Sequence, residues 1–69
     1  MEFKDVKEVI SKELDIRGMP LAVLAERTGI DRNKIFKTFG KNATRKLLAE
    51  EFVTICAVLQ LSLNDFVKE

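Results

Sequence analysis

Two short amphipathic stripes interrupted by a glycine constrain this chain more than any other feature. From Leu21 to Phe39 the sequence reads as two helices broken at Thr28-Gly29-Ile30. Leu24, Ala25 and Thr28 fall on one face at helical spacing, and Ile35 and Phe39 give the second helix an inward stripe that can meet the first. Gly29 permits a positive φ directly after the first helix, and Asp31 is placed to cap the second by accepting a backbone N–H. Ile30 and Ile35 have the spacing of a hydrophobic staple, which sets the angle at which the chain enters the second helix. Ala25 matters for its size, because a close helix crossing admits a methyl group where a larger side chain would push the axes apart.

Upstream, Val6, Val9, Ile10 and Leu14 recur at three and four residues, predicting an amphipathic helix that runs to about Arg17 and ends at Gly18. Met19 is expected to plug the core, and Pro20 suits the start of the following helix, where its missing N–H costs nothing. Downstream, Gly40-Lys41-Asn42-Ala43-Thr44 is turn-like, and Thr44 is expected to cap a helix reaching about Leu59. Its inward stripe is Leu48, Phe52, Ile55, Cys56 and Leu59, with Cys56 read as a buried small hydrophobe. Leu47, Val53 and Val58 lie partly off that stripe, which fits either a broad core-facing surface or a dimer seam. Ser62-Leu63-Asn64-Asp65 matches a capping box, with Leu61 and Phe66 as its staple, opening a last short helix. The expected fold class is therefore all-α, a compact five-helix unit occupying residues 1–69 as a single domain.

A chain of 69 residues buries only about 60% of its unfolded surface, so self-association is one expected source of stability. Glu2, Lys4 and Asp5 interrupt any secretory pattern, and no apolar run approaches the roughly 18 residues of a membrane span, so a soluble, cytoplasmic protein without membrane contact is expected. One cysteine and no histidine leave no disulfide framework, no multi-cysteine zinc site and no usual catalytic base. Neither an enzyme nor a protein with a cofactor, metal or small-molecule ligand is expected. The net charge of +1 hides strong segregation: residues 1 to 26 sum to −2, residues 27 to 46 to +6, and residues 47 to 69 to −3. A basic segment covering the second central helix and the loop after it is the footprint of a phosphate-facing surface.

At Leu24, Ala25, Gly29, Ile30 and Ile35 the chain resembles the DNA-binding helix-turn-helix of the lambda-repressor-like (Xre) family. Leu59 to Val67 is similar to the closing segment of that family, and with the first helix the resemblance covers nearly the whole chain. It departs from the family at Pro20 and Leu21, where relatives carry a serine or threonine cap followed by a phosphate-touching glutamine, and at Gln60, where relatives often have glycine. Ile35-Phe36-Lys37-Thr38-Phe39 is also similar to the recognition helix of the tetracycline-repressor family. That likeness is local, since this chain has no room for a large ligand domain.

The resemblance implies a recognition helix over 31–39 lying in the major groove. Asp31, Arg32, Asn33 and Lys37 match positions that face base edges in the family. Arg32 or Lys37 can donate to guanine O6 and N7, Asn33 can pair with adenine, and Asp31 can accept from cytosine. Phe36 either packs with Phe39 or meets a thymine methyl, and is counted among the base contacts. Lys34, Lys41, Asn42, Thr44 and Arg45 are expected to contact phosphates, which position without specifying. The expected function is a sequence-specific transcriptional regulator of the phage-repressor type, with double-stranded DNA as partner and a homodimer, joined through the C-terminal helices, as the bound form. The apolar run Leu21-Ala22-Val23 and the missing glutamine speak for an alternative, a protein-interaction module on the same fold: antirepressor, antitoxin or oligomerisation domain. Leu21 to Val23 would in that case be a partner surface rather than packing against the first helix.

Overall fold

The computed structural model describes residues 1–68. The elements are β1 (Glu2–Phe3), α1 (Val6–Arg17), α2 (Leu21–Thr28), α3 (Arg32–Phe39), α4 (Ala49–Leu59), a single 3-10 turn (Leu63–Phe66) and β2 (Val67–Lys68). The chain is thus mostly helical, but with four helices rather than the expected five. The fifth is replaced by the 3-10 turn, because the chain must leave the helical path to pair with its own beginning. Phe66 O accepts the Lys4 N–H at 2.7 Å, and β1 and β2 form an antiparallel ladder with Glu2 opposite Lys68 and Phe3 opposite Val67. The opposed charges of Glu2 and Lys68 favour that register.

Helix boundaries follow local chemistry. Asp5 caps α1 through the Glu8 N–H at 3.2 Å, and Gly18, at φ 63°, closes it. Gly29, at φ 74°, closes α2, and the Thr28 hydroxyl donates to Leu24 O at 2.8 Å while accepting the Ile30 N–H at 3.3 Å. The Asp31 carboxylate accepts the N–H groups of Asn33 and Lys34 at 2.7 and 3.4 Å, capping α3 as its position predicts. Asp65 reaches back to the Ser62 N–H at 2.7 Å, the second half of a capping box.

α4 starts at Ala49, not after Thr44. The N–H groups of Thr44 and Arg45 are both taken by Lys37 O at 3.1 Å, which satisfies the end of α3 and holds residues 44 and 45 out of a helix. Thr44 therefore caps nothing, and Leu48 lies at the cap position, 54% exposed instead of on the inward stripe. Glu51 closes the start of α4 by accepting the Leu48 N–H at 3.1 Å.

One core unites the elements. Ile10, Leu14, Leu24, Ala25, Ile35, Ile55, Leu59 and Phe66 are buried. α2 packs chiefly on α3 and also on α4, with Ala25 at 6% exposure among the buried residues of α2. Met19, Leu21, Ile30, Phe39, Leu47, Phe52, Cys56 and Val58 are half-buried against this core, so Leu21 is packing and Cys56 is less enclosed than expected. The rings of Phe52 and Phe66 meet edge to face with centroids 5.1 Å apart, pinning the last turn onto α4.

Candidate nucleic-acid interface

α3 has two unlike sides. Ile35 and Thr38 are buried, Phe39 is half-buried, and Arg32, Asn33, Lys34, Phe36 and Lys37 are exposed. Burial of a threonine in a core helix is tolerated because its hydroxyl is satisfied: it donates to Lys34 O at 2.7 Å and accepts from Arg45 Nη1 at 3.0 Å. Anchoring Ile35 and Thr38 fixes the rotation of the helix, so Arg32, Asn33, Phe36 and Lys37 share one outward face at one and four residues' spacing.

The guanidinium carbon of Arg32 lies 5.5 Å from the centroid of the Phe36 ring, a cation–π arrangement one helical turn long. Phe36 is 42% exposed and does not stack with Phe39; the aromatic pair among the described residues is Phe52 with Phe66. Asp31 uses Oδ1 for both capping bonds and is itself exposed at the start of α3.

Lys41, Asn42 and Thr44 are exposed on the loop that follows α3, and the loop is well tied. Gly40 N–H donates to Phe36 O at 2.8 Å, Ala43 N–H to Gly40 O at 3.2 Å, and the Lys7 ammonium reaches Arg45 O. Gly40 is required sterically, since a Cβ there would lie 2.3 Å from Phe36 O.

Arg45 stands apart from the other predicted phosphate contacts. Its fork grips Glu51, Nη1 to Oε1 at 2.7 Å and Nη2 to Oε2 at 2.9 Å, while Nη1 also serves Thr38. The two side chains retain only 23% and 12% exposure, so Arg45 links α3, the loop and α4 as a brace. Hydrogen bonding from Arg45 holds the Glu51 carboxyl below its ordinary range against the opposing effect of burial; the Leu48 N–H and the charges of Arg45 and Lys34 add to the lowering. Among the described residues the ion pairs are Arg45 with Glu51 and Arg17 with Glu13, so Arg27, Arg32, Lys34, Lys37, Lys41 and Lys46 carry no carboxylate partner. The sequence does not show the brace; its one signal is Glu50 and Glu51 in succession, which mark a helix start near Ala49.

Among the described residues no helix is long and apolar enough to cross a membrane. No protein-family model, curated protein or solved structure matches the chain.

Proposed function

We propose that the chain is a sequence-specific DNA-binding regulator of the lambda-repressor-like helix-turn-helix type, with α3 as the element that enters the major groove. The observation that carries the reading is the outward face of α3. Arg32, Asn33 and Lys37 are exposed there without carboxylate partners among the described residues, on a helix whose inner side is anchored, within a segment of net charge +6. An unpaired basic face on a rigid helix is what base-edge readout needs, since donors must be ordered but not already satisfied.

Labour on this surface divides by position. Asp31, Arg32, Asn33, Phe36 and Lys37 read bases, while Lys34, Lys41, Asn42 and Thr44 hold phosphates. Arg45, already engaged by Glu51 and Thr38, acts by setting the loop rather than by touching phosphate. The missing glutamine at Leu21 leaves the backbone grip to that loop. A single small reading head buries too little for tight specific binding, so the bound form is a two-fold homodimer on half-sites about one DNA turn apart. Ala49, Val53 and Ala57 are exposed at successive four-residue steps along α4, and Leu63 is exposed beyond it; this uncharged strip is the seam.

Selection from a randomised duplex pool, followed by footprinting, tests the reading. Enrichment of a two-fold site is expected. Arg32→Ala or Lys37→Ala should then cost about 1 to 3 kcal/mol on that site and flatten preference at one base pair. Lys41→Ala should weaken selected and random duplexes alike. If all three changes leave binding untouched at low salt, the basic face is not a DNA surface. The same uncharged α4 strip supports the second reading, a protein-interaction module, which gains if the protein dimerises stably but enriches no duplex.

A further inference from the structure

Arg32 and Phe36 are exposed one helical turn apart, with the guanidinium carbon 5.5 Å from the ring centroid. Resting on the DNA-binding reading above, we propose that the two side chains act as one reading unit whose target is a guanine with a thymine at the adjacent base pair.

A planar guanidinium resting on an aromatic ring has lost much of its rotamer freedom before DNA arrives, so its fork is offered already oriented toward guanine O6 and N7. The ring beside it has no donor or acceptor, and the apolar group that base edges present in the major groove is the C5-methyl of thymine. A cytosine there lacks the methyl, and a purine would face its N7 with a ring that cannot donate, leaving a desolvated acceptor unmade. The spacing limits the register. Whatever its direction relative to the DNA axis, a separation of 5.5 Å is shorter than two base-pair rises, about 6.8 Å, so the ring stays within reach of the pair next to the one that Arg32 reads.

The test uses the duplex enriched from the randomised pool. Each thymine beside a guanine is replaced singly by deoxyuridine, which removes one methyl and no hydrogen-bonding group. One replacement should weaken wild-type binding about fourfold, the transfer value of a single methyl. The same replacement should be neutral for Phe36→Ala, whose melting temperature checks that this exposed position leaves the fold intact. Arg32→Lys keeps the charge and can still donate to guanine but loses the planar fork that rests on Phe36, so the salt dependence should persist while preference for the guanine weakens. A selected site without thymine beside guanine, or equal affinity for thymine and deoxyuridine duplexes, overturns this inference and leaves the DNA-binding reading standing. A full deoxyuridine penalty retained by Phe36→Ala overturns it too. Failure to bind any duplex at low salt overturns both.

Discussion

Replacing Gln60 with glycine should stabilise the protein. Gln60 closes α4 in the left-handed region at φ 57°, the one non-glycine residue with positive φ among those described. An L-residue there costs about 1 to 2 kcal/mol because Cβ crowds the following carbonyl. Glycine removes that strain but frees the unfolded chain, which returns about 0.4 to 1 kcal/mol. The side chain of Gln60 is exposed, and the closing bonds of α4 are made by backbone, Gln60 N–H to Ala57 O at 3.4 Å and Leu61 N–H to Cys56 O at 2.9 Å, so nothing else is lost. With the middle of each range the net gain is about 0.8 kcal/mol, or roughly 3 to 6 °C in melting temperature for a domain of this size. Gly18→Ala and Gly29→Ala are the mirror experiment: a Cβ at either meets nothing within 4 Å, so any loss reports backbone strain less the same unfolded-chain entropy and no steric clash. Urea melts followed by circular dichroism give all three values. A Gln60→Gly variant no more stable than wild type, at unchanged urea slope, would refute the strain argument.

Glu51→Gln should lower the melting temperature at neutral pH. Because the folded carboxyl titrates below its unfolded value of about 4.3, that stabilisation is complete above the unfolded value and lost as pH falls through the folded one. The gap between wild type and Glu51→Gln should therefore narrow at pH 3, and an equal gap at both pH values contradicts the brace. Burial, and secondarily the negative charge of Asp65, raise the Cys56 thiol above its ordinary value, so labelling should be slow in the native state and fast in denaturant. Equal rates would place Cys56 off the core. Cys56→Ser should be destabilising, since a hydroxyl replaces a sulfur packed on the core.

Local structure is legible in the sequence where one residue type answers one backbone need. Gly18 and Gly29 take positive φ, Asp31 caps α3, Ser62 and Asp65 pair across a turn, and even the awkward Gln60 could be anticipated from its place. Non-local events were not legible. The pairing of Glu2–Phe3 with Val67–Lys68 joins the two ends of the described chain through strands too short to show alternation. Thr44 resembles a cap in isolation, yet its N–H is claimed by Lys37 O, a contact that exists only once the loop has folded back over α3. Arg45 shows the same limit within the site. Its charge contributes to the +6 segment, but whether a cation is free for a ligand depends on its neighbours in space, here Glu51 and Thr38.

The central claim, that the basic segment is a phosphate-facing surface, is tested most directly by titrating the protein against a random-sequence duplex at several salt concentrations. With Lys34 and Lys41 as the charged phosphate contacts, log K should fall linearly with log salt at a slope of about −2 per protomer, near −0.9 for each phosphate neutralised. Arg45→Gln, by loosening the loop without removing a phosphate contact, should weaken binding at unchanged slope. Folded protein that fails to bind at 50 mM salt, on the order of the lowest concentration where such contacts are strong, would contradict the claim, as would binding whose strength does not change with salt.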